Sequence, residues 1–172
     1  MRIIDDLTAP HPQSSHAGRW QCISDGVMGG LSAGTILRET RGGRSALCLR
    51  GKVSLENNGG FVQMALDLTP DGGLRDAGAF EGVEIDVCGN GEQYSVHLRT
   101  DAVTRPWQSW RHSFVAAPEW QTLRLPFAAF EAHRIDAQLD TRRLRRLGIV
   151  AIGRAFDADV VVARLGFYSA LS

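Results

Sequence analysis

Between glycine- and asparagine-rich turns, this chain repeatedly sets apolar residues at every second position over the length of a strand. It nowhere sustains a 3.6-residue apolar period for the length of a helix. A period of two buries one face of a strand, so the pattern predicts an all-β protein. Ala46 to Val53 carries Leu47 and Leu49 on one face, and Phe61 to Leu68 carries Val62, Met64, Leu66 and Leu68. Asn57-Asn58-Gly59-Gly60 between them supplies left-handed residues for a hairpin. Gly82 to Cys88 turns Val83, Ile85 and Val87 inward, and Gln93 to Thr100 turns Tyr94, Val96 and Leu98 inward. Asn90-Gly91, between that pair, is the strongest hairpin signal in the chain. Trp110 to Val115, Trp120 to Leu125, Leu147 to Ile152 and Val160 to Tyr168 add four strands, with Pro126 closing one of them. Only Thr141 to Arg146 and Phe127 to Phe130 suit a helical turn. Eight or nine strands predict a jelly-roll β-sandwich of two antiparallel sheets, and with no repeat or linker the expectation is a single domain over residues 1–172.

Composition narrows the classes of function. Hydrophobic residues at 44% and charged residues at 22% of the 172 positions suit an ordinary packed core rather than a disordered chain. Lys plus Arg and Asp plus Glu number 19 each, so no net field draws phosphate polymers, and no nucleic-acid partner is expected. No apolar run reaches the roughly 20 residues that span a bilayer. Cys22, Cys48 and Cys88 are odd in number and far apart, which predicts reduced thiols rather than a disulfide framework or a CxxC pair. Met1-Arg2-Ile3-Ile4-Asp5-Asp6 has neither the apolar stretch of a secretory signal nor the acid-free character of a mitochondrial presequence, so the expected location is cytoplasmic.

Candidate sites are few. Trp20 leads into Ser24-Asp25-Gly26-Val27-Met28-Gly29-Gly30, a loop with three glycines in five residues. Glycine there loses more entropy on folding than alanine, so such a loop is specified for shape. Asp25 would turn the backbone through its carboxylate, Gly29 and Gly30 would permit the path, and Met28 would present an adaptable apolar contact. The competing reading is that Trp20 and Met28 close one end of the sandwich. His97 and Arg99 share a strand face that Glu84 and Asp86 would extend across the predicted hairpin, as a polar groove or as cross-strand ion pairs. Paired acids also raise a hydrolase reading, since glycosidase chemistry uses two carboxyl groups about 5–9 Å apart. Trp107 and Trp110 are candidate stacking platforms for a sugar or anchors for a protein, Trp107 at a loop edge, whereas Trp120 reads as core. Arg142, Arg143, Arg145 and Arg146 form a basic knot, either a solvated turn or a contact for an acidic partner. The five histidines show no zinc spacing, and the phosphate-loop, dinucleotide and GxSxG patterns are absent, so no metal, cofactor or catalytic residue is assigned. A structural calcium drawing on Asp5, Asp6 or Asp25 stays open.

Trp20 with Ser24-Asp25-Gly26-Val27-Met28-Gly29-Gly30-Leu31-Ser32 resembles the signature loop of the complex I intermediate-associated protein family. The resemblance continues through Gly51 to Phe61, Phe80 to Glu84, Gly89 to Tyr94, Leu98-Arg99-Thr100, and Trp120 with Leu125-Pro126-Phe127 and Phe130. It implies a galactose-binding-like jelly roll and a non-enzymatic protein-binding or assembly factor. The implied partner is a protein, such as a respiratory-complex subunit or assembly intermediate. A carbohydrate-binding module is the alternative, with Trp107 or Trp110 as platform and His97, Arg99 or Glu84 as polar contacts, and a paired-carboxylate hydrolase ranks behind it.

Overall fold

The computed structural model describes residues 2–25, 30–56 and 60–170. Met28, Gly29 and the Asn57–Gly59 turn lie outside the described residues. Twelve strands run through the described residues: β1 (Arg2–Asp5), β2 (Trp20–Ser24), β3 (Ala33–Arg41), β4 (Arg44–Val53), β5 (Phe61–Asp67), β6 (Gly82–Gly89), β7 (Gln93–Thr100), β8 (Ser109–Val115), β9 (Gln121–Pro126), β10 (Glu131–His133), β11 (Leu144–Ile152) and β12 (Phe156–Tyr168). One sheet has the order β3-β4-β12-β6-β9, with β1 also on β12; the other has the order β10-β8-β7-β11-β5-β2. Every pairing between these strands is antiparallel. The β-sandwich of two antiparallel sheets expected from the alternation is what the chain forms.

The two inner faces meet in a core supplied by the alternating positions. Leu47, Leu49, Val62, Met64, Val83, Ile85, Val87, Val96, Leu98, Ile149, Val160 and Val162 are all completely buried. Removing each such side chain from water contributes about 1.5–3 kcal/mol, which makes the period of two the main organiser of the fold. Phe127–Ala129 forms a single 3-10 turn after Pro126, as expected. At Thr141 to Arg146 the expected helical turn gives way to a turn running into β11, because Leu144 is drawn into the core and bridges Arg75.

Both predicted hairpins prove to be crossings between sheets. β4 and β5 lie in different sheets, and so do β6 and β7. Gly91, at φ +82, does reverse the chain. Its amide and that of Gly89 donate to Ala116 and Ala117 carbonyls, while Asn90 Nδ2 donates to the Asp157 carbonyl at 2.9 Å and Asn90 Oδ1 accepts from Tyr94 Oη at 2.7 Å. A hairpin and an arch bury the same alternate residues. In an arch those residues face each other across the core instead of sharing one sheet face, and local pattern cannot separate the two.

Trp20 closes one end of the core, 3% exposed, with its indole Nε1 donating to Asp5 Oδ2 at 2.7 Å. Trp120 is a correction: it lies outside the sandwich, not between its sheets. It covers a small outer-face cluster of Ala46, Cys48, Cys88, Val161 and Ala163, donates to the Arg41 carbonyl at 3.1 Å and carries Arg44 over its ring. All three cysteines are free thiols, Cys22 exposed and the other two buried. Among the described residues, no helix is long and apolar enough to cross a membrane.

Candidate ligand cleft

The outer face of the second sheet carries a cleft of about 530 Å³. Strand register builds its floor in rows. Arg111 on β8, His97 on β7, Gly148 on β11 and Ala65 on β5 stand side by side. In the next rows Arg99 faces Arg146, which faces Asp67, and Ser95 faces Val150, which faces Gln63 and then Ile23. Because Tyr94, Val96 and Leu98 take the inner face of β7, His97 and Arg99 must take the outer one. Gly148 lets this floor form. A Cβ there would stand 2.5 Å from Gln63 Oε1, so the glycine leaves room for the Gln63 amide to lie across the neighbouring strand.

The loop before β8 forms one wall and presents Trp107, 47% exposed. Gln108 pins that loop: its Oε1 accepts from the Thr104 and Arg105 amides at 2.8 and 3.0 Å, and its Nε2 donates to the Arg134 carbonyl at 3.1 Å. His133, at the end of β10, and Arg134, held at φ 55, complete that side. Ile23, Phe61 and Ile152 give the opposite wall an apolar character.

The cleft is cationic, and its base is buried. His97 is 9% exposed and its Nε2 has no hydrogen-bond partner. Burial, then the Arg111 and His133 charges, push its pKa down to about 3, so the ring is neutral at physiological pH. Burial and the neighbouring Arg146 and Arg145 lower the Arg99 pKa; burial and Arg134 do the same to Arg111. His133 is likewise lowered by burial, Arg111 and Arg134. Asp67 gives this face a carboxylate, and its Oδ1 is already 2.9 Å from Arg146 Nε.

The other candidates fall elsewhere. Trp110 is corrected as a contact residue: only 2% exposed, it packs in the core with Nε1 donating to the Ala137 carbonyl at 3.1 Å. Leu98, its register partner on β7, points inward, and so does Trp110. Glu84 and Asp86 do not share a surface with His97, since β6 belongs to the other sheet. They lie on the far face of the sandwich, Glu84 2.8 Å from Arg124 Nε, and Asp86 2.7 Å from Arg44 Nη2 and 2.6 Å from Thr122 Oγ1. Carboxylates so engaged are structural ion pairs rather than an acid and a base facing a substrate. Three members of the basic knot are paired as well, Arg142 with Asp140, Arg143 with Asp101 and Arg146 with Asp67.

Asp25 is completely buried, and its carboxylate serves internal donors rather than meeting the surface. It accepts from the Ser32 amide at 3.0 Å, the Ser32 hydroxyl, the Gly60 amide at 2.5 Å and the Phe61 amide at 3.2 Å, while its carbonyl accepts from the Gly30 amide at 2.9 Å. Burial alone would raise its pKa; these hydrogen bonds outweigh burial and hold it below the ordinary carboxylate value. Asp5 is similarly engaged by the Trp20 indole and the Leu7 and Ser15 amides, and Asp6 by Thr8. The three acids considered for calcium therefore serve internal donors. Among the described residues no group of three or more His, Cys, Asp or Glu could hold a metal ion.

Sequence reasoning named His97, Arg99 and Trp107 of this cleft, and Arg146 and His133 in other connections, but missed Arg111, Arg134 and Gln63. Non-local pairing assembles them, and the one signal in the sequence was outward parity on strands whose neighbours were unknown.

The two-sheet sandwich is a fold this chain shares with carbohydrate-binding modules. The family 11 module of the cellulosomal cellulase Lic26A-Cel5E of Clostridium thermocellum superposes with a TM-score of 0.73 at 14% identity, covering 98% of this chain and 94% of that one. The family 11 module from the same organism in complex with a β-1,3-1,4-mixed-linked tetrasaccharide gives 0.72 at 15%, covering 98% and 95%. The family 30 module of the cellulase Cel9D-Cel44B, also of Clostridium thermocellum, gives 0.64 at 18%, covering 99% and 98%. At these identities the likeness is one of fold. No curated protein matches the sequence. The model of the Complex I intermediate-associated protein 30 (CIA30) family matches residues 9–160, and the chain belongs to that family.

Proposed function

We propose that this protein is a non-enzymatic assembly or protein-binding factor of the cytoplasm that holds a protein partner in the cleft between Trp107 and Ile152. The observation that carries the reading is the cleft itself: an exposed aromatic and a cationic floor on rigid strands, with the paired acids of the hydrolase reading tied to arginines on the opposite sheet. Family membership supports a role connected with complex I assembly, its partner a respiratory-complex subunit or an assembly intermediate. Three free thiols suit a reducing compartment. Met28, Gly29 and Gly30 are proposed to contribute to the partner contact as well.

A photo-crosslinking amino acid placed at position 107 in the native cell tests this. A discrete protein adduct is expected, and it should disappear when Arg99 and Arg111 are also changed to glutamate. The second reading, a carbohydrate-binding module, draws on the same Trp107 as a stacking platform and on the fold. A glycan array bound by the wild type and lost with Trp107→Ala, together with no protein adduct, would establish it instead.

A further inference from the structure

Resting on that reading, we infer that the cleft recognises an acidic segment of the partner, with carboxylates seated on Arg99, Arg111, Arg134 and Arg146 and a neighbouring apolar side chain packed against Trp107 or the Ile152 wall. The first argument is the inventory of polar groups. Guanidinium groups donate and cannot accept, so a cleft lined by four of them has little to offer a ligand that must also donate. Neutral sugar hydroxyls need acceptors as well as donors. Asp67 is engaged by Arg146, and the side-chain acceptors in reach are the Gln63 amide oxygen and one ring nitrogen of the neutral His97, fewer than the hydroxyls of a bound sugar would need. A carboxylate accepts only, and a planar guanidinium matches it with two parallel hydrogen bonds.

The second argument is where the acids went. Positive and negative side chains are equal in number over the whole chain. On the opposite sheet Arg44, Arg124 and Arg50 meet Asp86, Glu84 and Glu39. In the cleft, Arg99 and Arg111 have cations for charged neighbours, and their lowered pKa values record that repulsion together with burial. Charge is thus balanced in total and segregated in place. A bound anion removes the repulsion, so its binding energy includes relief that a neutral ligand cannot supply.

The third argument separates a peptide from an acidic saccharide or a free phosphate. One wall is aliphatic and aromatic, through Ile23, Phe61 and Ile152, and the other carries Trp107. An extended peptide alternates its side chains and can place acids on the floor and a leucine or phenylalanine on a wall. A uronic sugar would leave its hydroxyls against that apolar surface.

Calorimetric titration of the whole chain decides it, using an acetylated peptide that alternates glutamate with leucine and phenylalanine, its glutamine counterpart, and trigalacturonate. The glutamate peptide is expected to bind at least about tenfold more tightly than the glutamine peptide, and to weaken as salt rises. Arg99→Gln and Arg111→Gln should each weaken it severalfold without lowering the melting temperature, since both substitutions remove repulsion. Equal binding of the two peptides, or tighter binding of trigalacturonate than of the glutamate peptide, overturns the inference. If the glutamate peptide fails while a protein adduct forms at position 107, acid recognition is rejected and the partner reading stands. Absence of the adduct rejects the partner reading itself.

Discussion

Replacing His97 with glutamine should make the protein more resistant to acid. The ring is buried beside Arg111, Arg99 and His133, its native pKa is about 3, and an unfolded histidine titrates near 6.5. Above the unfolded value both states are neutral and the ring contributes no pH dependence. Below it the unfolded state takes up a proton that the native state refuses, so stability falls by about 1.4 kcal/mol per pH unit until the native pKa is reached. Two units of acidification below the unfolded value, to about pH 4.5, therefore cost about 2.7 kcal/mol through this one residue. The figure barely depends on the native pKa, because at that pH the native ring is still almost wholly neutral. Urea denaturation of wild type and His97→Gln at about pH 7.5 and pH 4.5 gives four free energies. Carboxylates such as Asp25 and Asp86 also lose stability in acid, but they do so in both proteins. The wild type should lose about 2–3 kcal/mol more than the variant over this interval. Equal losses would mean that His97 is protonated in the native protein, and its buried setting among cations would be wrong.

Asp25→Ala removes an acceptor shared by four donors, and should lower stability by about 3 kcal/mol or more, a fall of about 6–12 °C in melting temperature by calorimetry. Because its native pKa is depressed, the stabilisation from Asp25 is complete above the unfolded carboxylate range and disappears as pH drops through the native value; the variant should show less acid sensitivity there. Trp20→Phe keeps the ring in the core but strips Asp5 of its indole donor, so chemical denaturation should register a loss of about 1–3 kcal/mol. Gly148→Ala meets only the flexible end of Gln63, so its stability cost should stay under about 1.5 kcal/mol. The displaced amide should enter the cleft, and titration with the glutamate peptide should show weaker binding.

The parts of the fold that could be read in the sequence were those where one face of a strand is fully buried. β5, β6 and β7 announce themselves because Val62, Ile85 and Val96 alternate with polar positions, and β11 and β12 because Ile149 to Ile152 and Val160 to Ala163 are unbroken apolar runs between turns. β3 went unread: it is an edge strand whose residues are mostly half-buried, so no period stands out. β10 is three residues long, too short for any period. Asn90-Gly91 marked a reversal correctly, yet reversal within a sheet and passage between sheets bury identical side chains. That ambiguity had the largest consequence. It joined His97 to Glu84 and Asp86, and hid Arg111 and Arg146, the true neighbours, which arrive from strands β8 and β11. Trp110 and Trp120 were misassigned for a related reason, since inward or outward direction follows from partners that only the assembled sheets define.

β12, the last strand in chain order, lies in the middle of its sheet, with β4 and β1 along one side and β6 along the other. During synthesis, Arg44–Val53 and Gly82–Gly89 must therefore wait with open hydrogen-bonding edges until Phe156–Tyr168 has left the ribosome. The sheet that carries the cleft waits nearly as long, since β11 (Leu144–Ile152) lies between β7 and β5. Until Phe156–Tyr168 emerges, a nascent chain is consequently vulnerable along those open edges to pairing with a neighbour or to a holding chaperone.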